Sequence, residues 1–192
     1  MSFENELARF LPFDIPNRDR LIEKSGRHLQ LVAEANEHMN LTRISSPQEA
    51  AIKHVVDSVI PWKFFEGAKR VLDAGTGAGF PGIPLSIVLP DTDFVLADST
   101  QKKARFVQSA IEALELDNVE AVGERAESLA VARKPTIITA RAVAPIHRLI
   151  DLFGKALVQG SQLLLFKGPD VETEISEAGT HRFAAEILCR YE

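Results

Sequence analysis

The chain has 192 residues, 45% of them hydrophobic and 26% charged, the balance of one globular domain with an appendage. No apolar run approaches the ~20 residues that a membrane helix needs. The net charge of −5 excludes a protein that coats nucleic acid indiscriminately, because such binding rests on neutralised phosphates. The start, Met1-Ser2-Phe3-Glu4-Asn5-Glu6, is polar and acidic and reads as no signal peptide. The single cysteine, Cys189, rules out an internal disulfide and is expected to be an inert core residue. Together these place the chain in the cytoplasm. The five histidines (His28, His38, His54, His147, His181) show no ligand spacing, so no metal site is expected. Charge is uneven: residues 1–70 carry ten Lys/Arg and ten Asp/Glu, and residues 71–192 carry twelve against seventeen.

The first seventy residues read as helical. Asn17 is a candidate N-cap, followed by a stripe at Ile22, Leu29, Val32, Asn36 and Met39. Ser46-Pro47-Gln48-Glu49 reads as a capping box with proline in the first turn, followed by a buried stripe of Ile52, Val55, Val56, Val59 and Ile60. After Arg70, strands alternate with helices. Strands are predicted at 70–74, 93–98, 118–123, 135–141 and 161–167, and helices at 81–89, 100–116, 124–131 and 145–157. A helix at 170–179 and a last strand at 183–190 follow. This alternation predicts an α/β domain, a doubly wound, mainly parallel sheet covered on both faces. The expected division is a helical N-terminal extension over 1–68, packed on a Rossmann-like domain over 69–192. Ligands of such sheets bind at the carboxyl ends of the strands.

The run Asp73-Ala-Gly-Thr-Gly-Ala-Gly-Phe-Pro-Gly-Ile-Pro84 marks that end of the first strand. Its glycines permit positive φ and close approach of a ligand, and its prolines suit a helix start. A phosphate-binding P-loop needs Lys-Ser or Lys-Thr after the glycines, where Phe80-Pro81 stands. The dinucleotide fingerprint fits on paper as Gly77-x-Gly79-x-x-Gly82 with Asp98 nineteen residues after Gly79. The only tyrosine, Tyr191, is however out of place for a hydride-transfer acid. The other frame, Asp73-x-Gly75-x-Gly77-x-Gly79, is the pattern of S-adenosylmethionine-dependent methyltransferases. In that frame Asp98 accepts the ribose hydroxyls and Ala126-Glu127 flank the adenine.

The order Asn40-Leu41-Thr42, Lys53-His54-x-x-Asp57-Ser58 and Asp73–Pro84 resembles one bacterial family, and the resemblance continues through Asp98-Ser99, Arg125-Ala126-Glu127, Ala140-Arg141-Ala142-Val143-Ala144 and Lys167-Gly168. It is the family of 16S ribosomal RNA guanine-N7 methyltransferases, also called glucose-inhibited division protein B, and the match spans about residues 36 to 170. The resemblance implies the class I methyltransferase fold, S-adenosyl-L-methionine as cofactor, and 16S rRNA of the 30S subunit or its precursor as partner; the chain is expected to act as a monomer. It places Gly75, Phe80, Ala126, Glu127 and Arg141 at cofactor-contacting positions. Sheets of this class usually close with an antiparallel hairpin, of which this chain holds only the first strand.

The chemistry of the residues is compatible with that family. Methylating a pyrimidine C5 needs a cysteine nucleophile, and Cys189 lies far from the strand ends. Exocyclic amine methylation usually relies on an Asn/Asp-Pro-Pro-aromatic motif, where this chain has Arg141-Ala142-Val143-Ala144-Pro145. Guanine N7 carries a free lone pair and needs no general base. Arg141 is then a positioning residue whose removal leaves stability nearly unchanged. Other readings stay open at this stage. Asp73 either holds backbone amides or meets the cofactor; Phe80 belongs to the core or to the cofactor site; Asp98 caps the following helix or binds ribose. Arg141 has an ion-pair alternative, and Lys102, Lys103 and Arg105 form a solvated face or meet RNA phosphates. His54 reads as a packing histidine. A methyltransferase of small molecules or proteins, and a non-catalytic cofactor-binding module, are the competing functions.

Overall fold

The computed structural model describes residues 2–44, 46–179 and 183–191. Five parallel strands, β1 (Arg70–Ala74), β2 (Asp93–Ala97), β3 (Val119–Val122), β4 (Ile137–Arg141) and β5 (Gln162–Phe166), lie in the order β3-β2-β1-β4-β5. Period-two alternation sorts their side chains between two cores. Val71, Phe94, Leu96, Val119 and Ile137 face one layer. Leu72, Ala74, Val95, Ala97, Ile138 and Ala140 face the other. The sheet is therefore buried on both faces, as an all-parallel sheet requires. β1 and β4 are neighbours although β2 and β3 intervene in sequence, so the winding reverses between them and opens a crevice at their carboxyl ends.

On the first face lie α1 (Phe3–Phe10), α2 (Arg18–Met39), α3 (Pro47–Ala50), α4 (Asp57–Val59), α5 (Gly82–Val88) and α6 (Gln101–Ala113). A π-helical segment, Ala51–Val56, joins α3 to α4 without a break, and a 3-10 turn, Trp62–Phe65, leads into β1. On the second face α7 (Ala126–Arg133) and α8 (Ile146–Val158) bring Leu129, Ala130, Leu149, Phe153 and Ala156 to the sheet. α9 (Val171–Glu177) follows β5.

Several local expectations are corrected. Asn17 occupies the N-cap position of α2 but in a left-handed conformation with no capping bond; its side-chain amide instead donates to Val88 O at 3.3 Å. The buried stripe of α2 runs through Leu21, Ser25, Gly26, His28, Leu29 and Val32, while Ile22, Asn36 and Met39 are only half-buried. On this face Gly26 leaves room for the Glu4 side chain of α1, and His28 reaches the glycine loop at Ala78 O. Half of the capping box forms: Ser46 Oγ accepts from Glu49 N at 3.2 Å, but the Glu49 carboxylate pairs with Lys53 at 2.9 Å. No strand forms over 183–190: the described residues 183–191 are irregular. A strand needs a ladder partner, and this segment is held elsewhere, by Arg190 on Glu172 of α9 and by Tyr191 Oη donating to Asp57 O. Cys189 is accordingly exposed and not core.

Candidate active site

The loop after β1 takes its shape from its glycines. Gly75, Gly77 and Gly79 have φ of +71°, +62° and +98°, values that suit a residue with no Cβ. Most of the loop's amide hydrogens are used inside the protein. Gly75 N and Thr76 N donate to Ala97 O at 2.8 and 3.0 Å, and Gly79 N and Phe80 N to Thr76 O at 2.9 and 3.1 Å. Gly77 N donates to Asp98 Oδ2 at 3.2 Å, and Gly82 N to Asp73 Oδ2 at 3.0 Å.

Asp73 is fully buried at the end of β1. Its Oδ2 also accepts from Thr76 Oγ1 at 2.6 Å, while Oδ1 has no protein partner. Burial pushes this carboxyl up to about 6, against the opposing pull of Thr76, Gly82 and Arg141. Asp98, just past β2, divides its oxygens between Gly77 N and Thr100 N, the latter at 2.8 Å, so it pins the loop and the residue that precedes α6, without capping that helix. At the third strand end, Ala126 and Glu127 form the first turn of α7, half-buried, with Glu127 3.6 Å from Arg125.

Arg141 ends β4 and turns across the crevice to the N-terminal layer. Its Nη1 donates to Lys53 O at 2.9 Å and approaches Ser58 Oγ at 3.4 Å, and its Cζ lies 5.8 Å from the Phe80 ring centre. Burial lowers its affinity for the proton, against the opposing pull of Asp73 and Asp57; a guanidinium stays charged in any case. Phe80 is buried beneath it, stacked on His54 (centroids 4.6 Å, 9°) and tilted on His28 (4.6 Å, 30°). Beyond β4, Ala142 takes a left-handed φ of +56°. Lys167 steadies this turn, donating to Ala144 O at 3.1 Å and pairing with Glu174 at 2.6 Å.

The structure thus gathers the loop, Asp73, Asp98 and Arg141 at one end of the sheet. The Asn40–Thr42 and Lys53–Ser58 segments join them, because Thr42 Oγ1 lies 3.0 Å from His54 Nε2 and Ser58 Oγ donates to His54 O. Lys102 reaches back to His38 O at 3.3 Å, so it ties α6 to the end of α2. Two parts of the site escaped sequence reading: His28, whose partner Ala78 is fifty residues away, and the π-helical turn that presents Lys53 O. The apolar spacing of that turn matches an ordinary helix, so only the three-dimensional contacts reveal it.

Two imidazoles here make stability fall on acidification, and one carboxyl opposes them. Burial lowers His28 and His54 from 6.5 to about 4, His54 with added repulsion from Arg141. Their contribution is whole above pH 6.5 and is lost as the pH falls towards 4. Asp73, raised from 3.8 to about 6, works oppositely: its contribution is present below 3.8 and lost as the pH rises to 6. Between those limits the unfolded chain binds two more protons on the imidazoles and one fewer on Asp73. The net is about one proton, so urea unfolding should show stability falling by about 1.4 kcal/mol per pH unit from pH 6 to 4. Stability that is flat or rising over that interval contradicts the burial of both rings.

Comparison with known proteins agrees with this architecture. The family model for rRNA small subunit methyltransferase G (GidB) matches residues 21–187. A ribosomal RNA small subunit methyltransferase G of Solibacter usitatus is 55% identical over all of this chain and 93% of its own length. The protein of the same name from Carboxydothermus hydrogenoformans is 35% identical over 88% of this chain and 74% of its own. Among solved structures, a putative caffeoyl-CoA O-methyltransferase from Staphylococcus aureus superposes with a TM-score of 0.51 at 8% identity, covering 79% of this chain and 78% of the other. A mutant of MtNAS superposes with a TM-score of 0.52 at 14% identity, covering 85% and 69%; at such identities the two show the fold alone. With its full-length likeness to the Solibacter protein and the family match over most of its length, the chain belongs to the rRNA small subunit methyltransferase G (GidB) family.

Proposed function

We propose that this protein transfers the methyl group of S-adenosyl-L-methionine to N7 of a guanine in 16S rRNA, on the 30S subunit or its precursor, as a cytoplasmic monomer. In this reading residues 1–68 are a helical extension and residues 69–192 the methyltransferase domain. The observation that carries the cofactor choice is the use of the loop's N–H groups. Those of Gly75, Thr76, Gly77, Gly79, Phe80 and Gly82 all donate within the protein. A pyrophosphate cradle needs such donors free. A loop backed by two carboxylates suits a cofactor with a cationic centre and ribose hydroxyls instead. The fit is also steric: a Cβ on Gly77 would meet nothing nearer than Gly75 O at 4.0 Å, so the backbone is bare on that side.

The cofactor supplies an electrophilic methyl on a sulfonium. For this chain's residues the roles follow from position. Gly75, Gly77 and Gly79 offer backbone to close approach, and Asp73 keeps their turn in shape. Asp98 has lone pairs left for ribose hydroxyls, and Ala126 and Glu127 flank the base. Phe80 supports Arg141 from beneath, and Arg141 positions the reacting groups. No proton needs removal from guanine N7, so orientation in a dry crevice carries the rate, an effect that supplies ~7–11 kcal/mol. The relatives are named as methyltransferases of small-subunit ribosomal RNA, and the same target is proposed here.

Calorimetric titration is expected to show binding of S-adenosylmethionine and none of NAD; micromolar NAD affinity without the methionine cofactor overturns the cofactor choice. With labelled cofactor, undermodified 30S subunits should be methylated, a short RNA oligonucleotide hardly at all. A chain of net charge −5 neutralises too few phosphates to hold a short strand. Equal rates on both, or label passing only to a metabolite pool, overturns the proposed substrate.

A further inference from the structure

We propose that His28 of α2 is a positioning residue for the glycine loop, setting cofactor affinity from the N-terminal helical layer by holding Ala78, Gly79 and Phe80. The inference rests on the reading of this loop as the cofactor seat. The His28 ring is fully buried. Its Nε2 lies 2.8 Å from Ala78 O; a carbonyl only accepts, so the proton sits on Nε2. Nδ1 is left without a protein partner. An unpaired buried acceptor is costly, and an apolar side chain would avoid that cost if filling space were the only task at this position.

What the imidazole adds is contact with three successive loop residues. It donates to the Ala78 carbonyl. It packs on Gly79, where a Cβ would stand 3.1 Å from His28 Cε1 and 3.2 Å from Nε2. It tilts onto the Phe80 ring at 4.6 Å. Gly79 carries the largest positive φ of the three alternating glycines, +98°, so the held segment is the one with the least ordinary backbone. Phe80 continues the chain of contacts to His54 and Arg141. A shift of His28 is therefore felt both by the loop and by the support of Arg141.

The test compares His28→Leu, which fills similar space without a donor, with His28→Gln, whose side-chain amide still donates to Ala78 O. Thermal melts and circular dichroism establish that each variant is folded before binding is measured. Calorimetry with S-adenosylmethionine should give a Kd about tenfold weaker for the leucine variant, with most of the loss recovered by glutamine. KM for the cofactor should follow Kd, and the glutamine variant should recover both. In the cofactor-free protein, amide exchange should quicken over 78–80 in the leucine variant and not in the central strands. A leucine variant that melts earlier but binds the cofactor as the parent does, with unchanged exchange over 78–80, makes His28 a core residue only and overturns the proposal. Glutamine behaving no better than leucine overturns it as well. If the parent protein itself fails to bind S-adenosylmethionine, the cofactor reading falls, and exchange over 78–80 still decides whether His28 positions the loop.

Discussion

Replacing Arg141 by alanine is expected to lower methyl transfer to 30S subunits by at least about hundredfold, the scale that misplacement of reacting groups by about 1 Å produces. The guanidinium ends β4 at the switch point, donates to Lys53 O and lies over Phe80. It also supplies the positive charge facing the buried Asp73 and the half-buried Asp57. It does not act as a base, so its loss acts through geometry and field. Sequence reading expected stability to be nearly unchanged. The contacts correct this: a charge-assisted hydrogen bond between β4 and the π-helical turn disappears, at about 1–3 kcal/mol. The activity loss must therefore be measured per folded molecule, well below the variant's melting midpoint. Arg141→Lys keeps the charge but loses the planar guanidinium, whose Nη1 reaches Lys53 O and Ser58 Oγ while its Cζ lies near the Phe80 ring. It should recover stability more fully than rate. An alanine variant with parental activity per folded molecule makes Arg141 a structural tie between β4 and the π-helical turn.

The sequence was most informative where one residue type has one physical use. Arg70–Ala74 emerges with its exact bounds because an apolar run meets a glycine turn, and the remaining four strands lie within one or two residues of their expected limits. The positions of Asp73, Asp98 and Arg141 follow from the same rule, that strand ends carry the site. Their partners were not legible. That Asp98 spends an oxygen on Gly77 N, or that His28 reaches Ala78, depends on residues twenty-one and fifty positions apart. Hydropathy periodicity found Leu29 and Val32 on the inner face of α2 but missed Ser25, Gly26 and His28, which count as polar or neutral. The expected strand at 183–190 failed for a related reason: alternation describes a side-chain pattern, while a strand exists only where a neighbour offers a ladder.

Valine at Gly77 and valine at Gly82 should separate the loop's two tasks. Gly77 has a φ of +62°, and space beside it is open. A β-branched residue there costs about 1–2 kcal/mol of backbone strain, and its side chain projects into the bare side of the turn. Gly77→Val is expected to stay folded and to abolish binding of S-adenosylmethionine, and with it methyl transfer. Gly82 has ordinary backbone but no room: a Cβ would run into Leu96 and stand 2.8 Å from Asp73 Oδ2, the atom that accepts its N–H. Overpacking typically costs about 1–3 kcal/mol, and disturbing a bond to a carboxylate adds a comparable amount. Gly82→Val is therefore expected to lower stability by several kcal/mol. Melting curves and cofactor titration on both variants decide the matter. If Gly77→Val binds the cofactor with parental affinity, the loop is not its seat; if Gly82→Val melts with the parent, Asp73 does not anchor the start of α5 in the way its short contacts indicate.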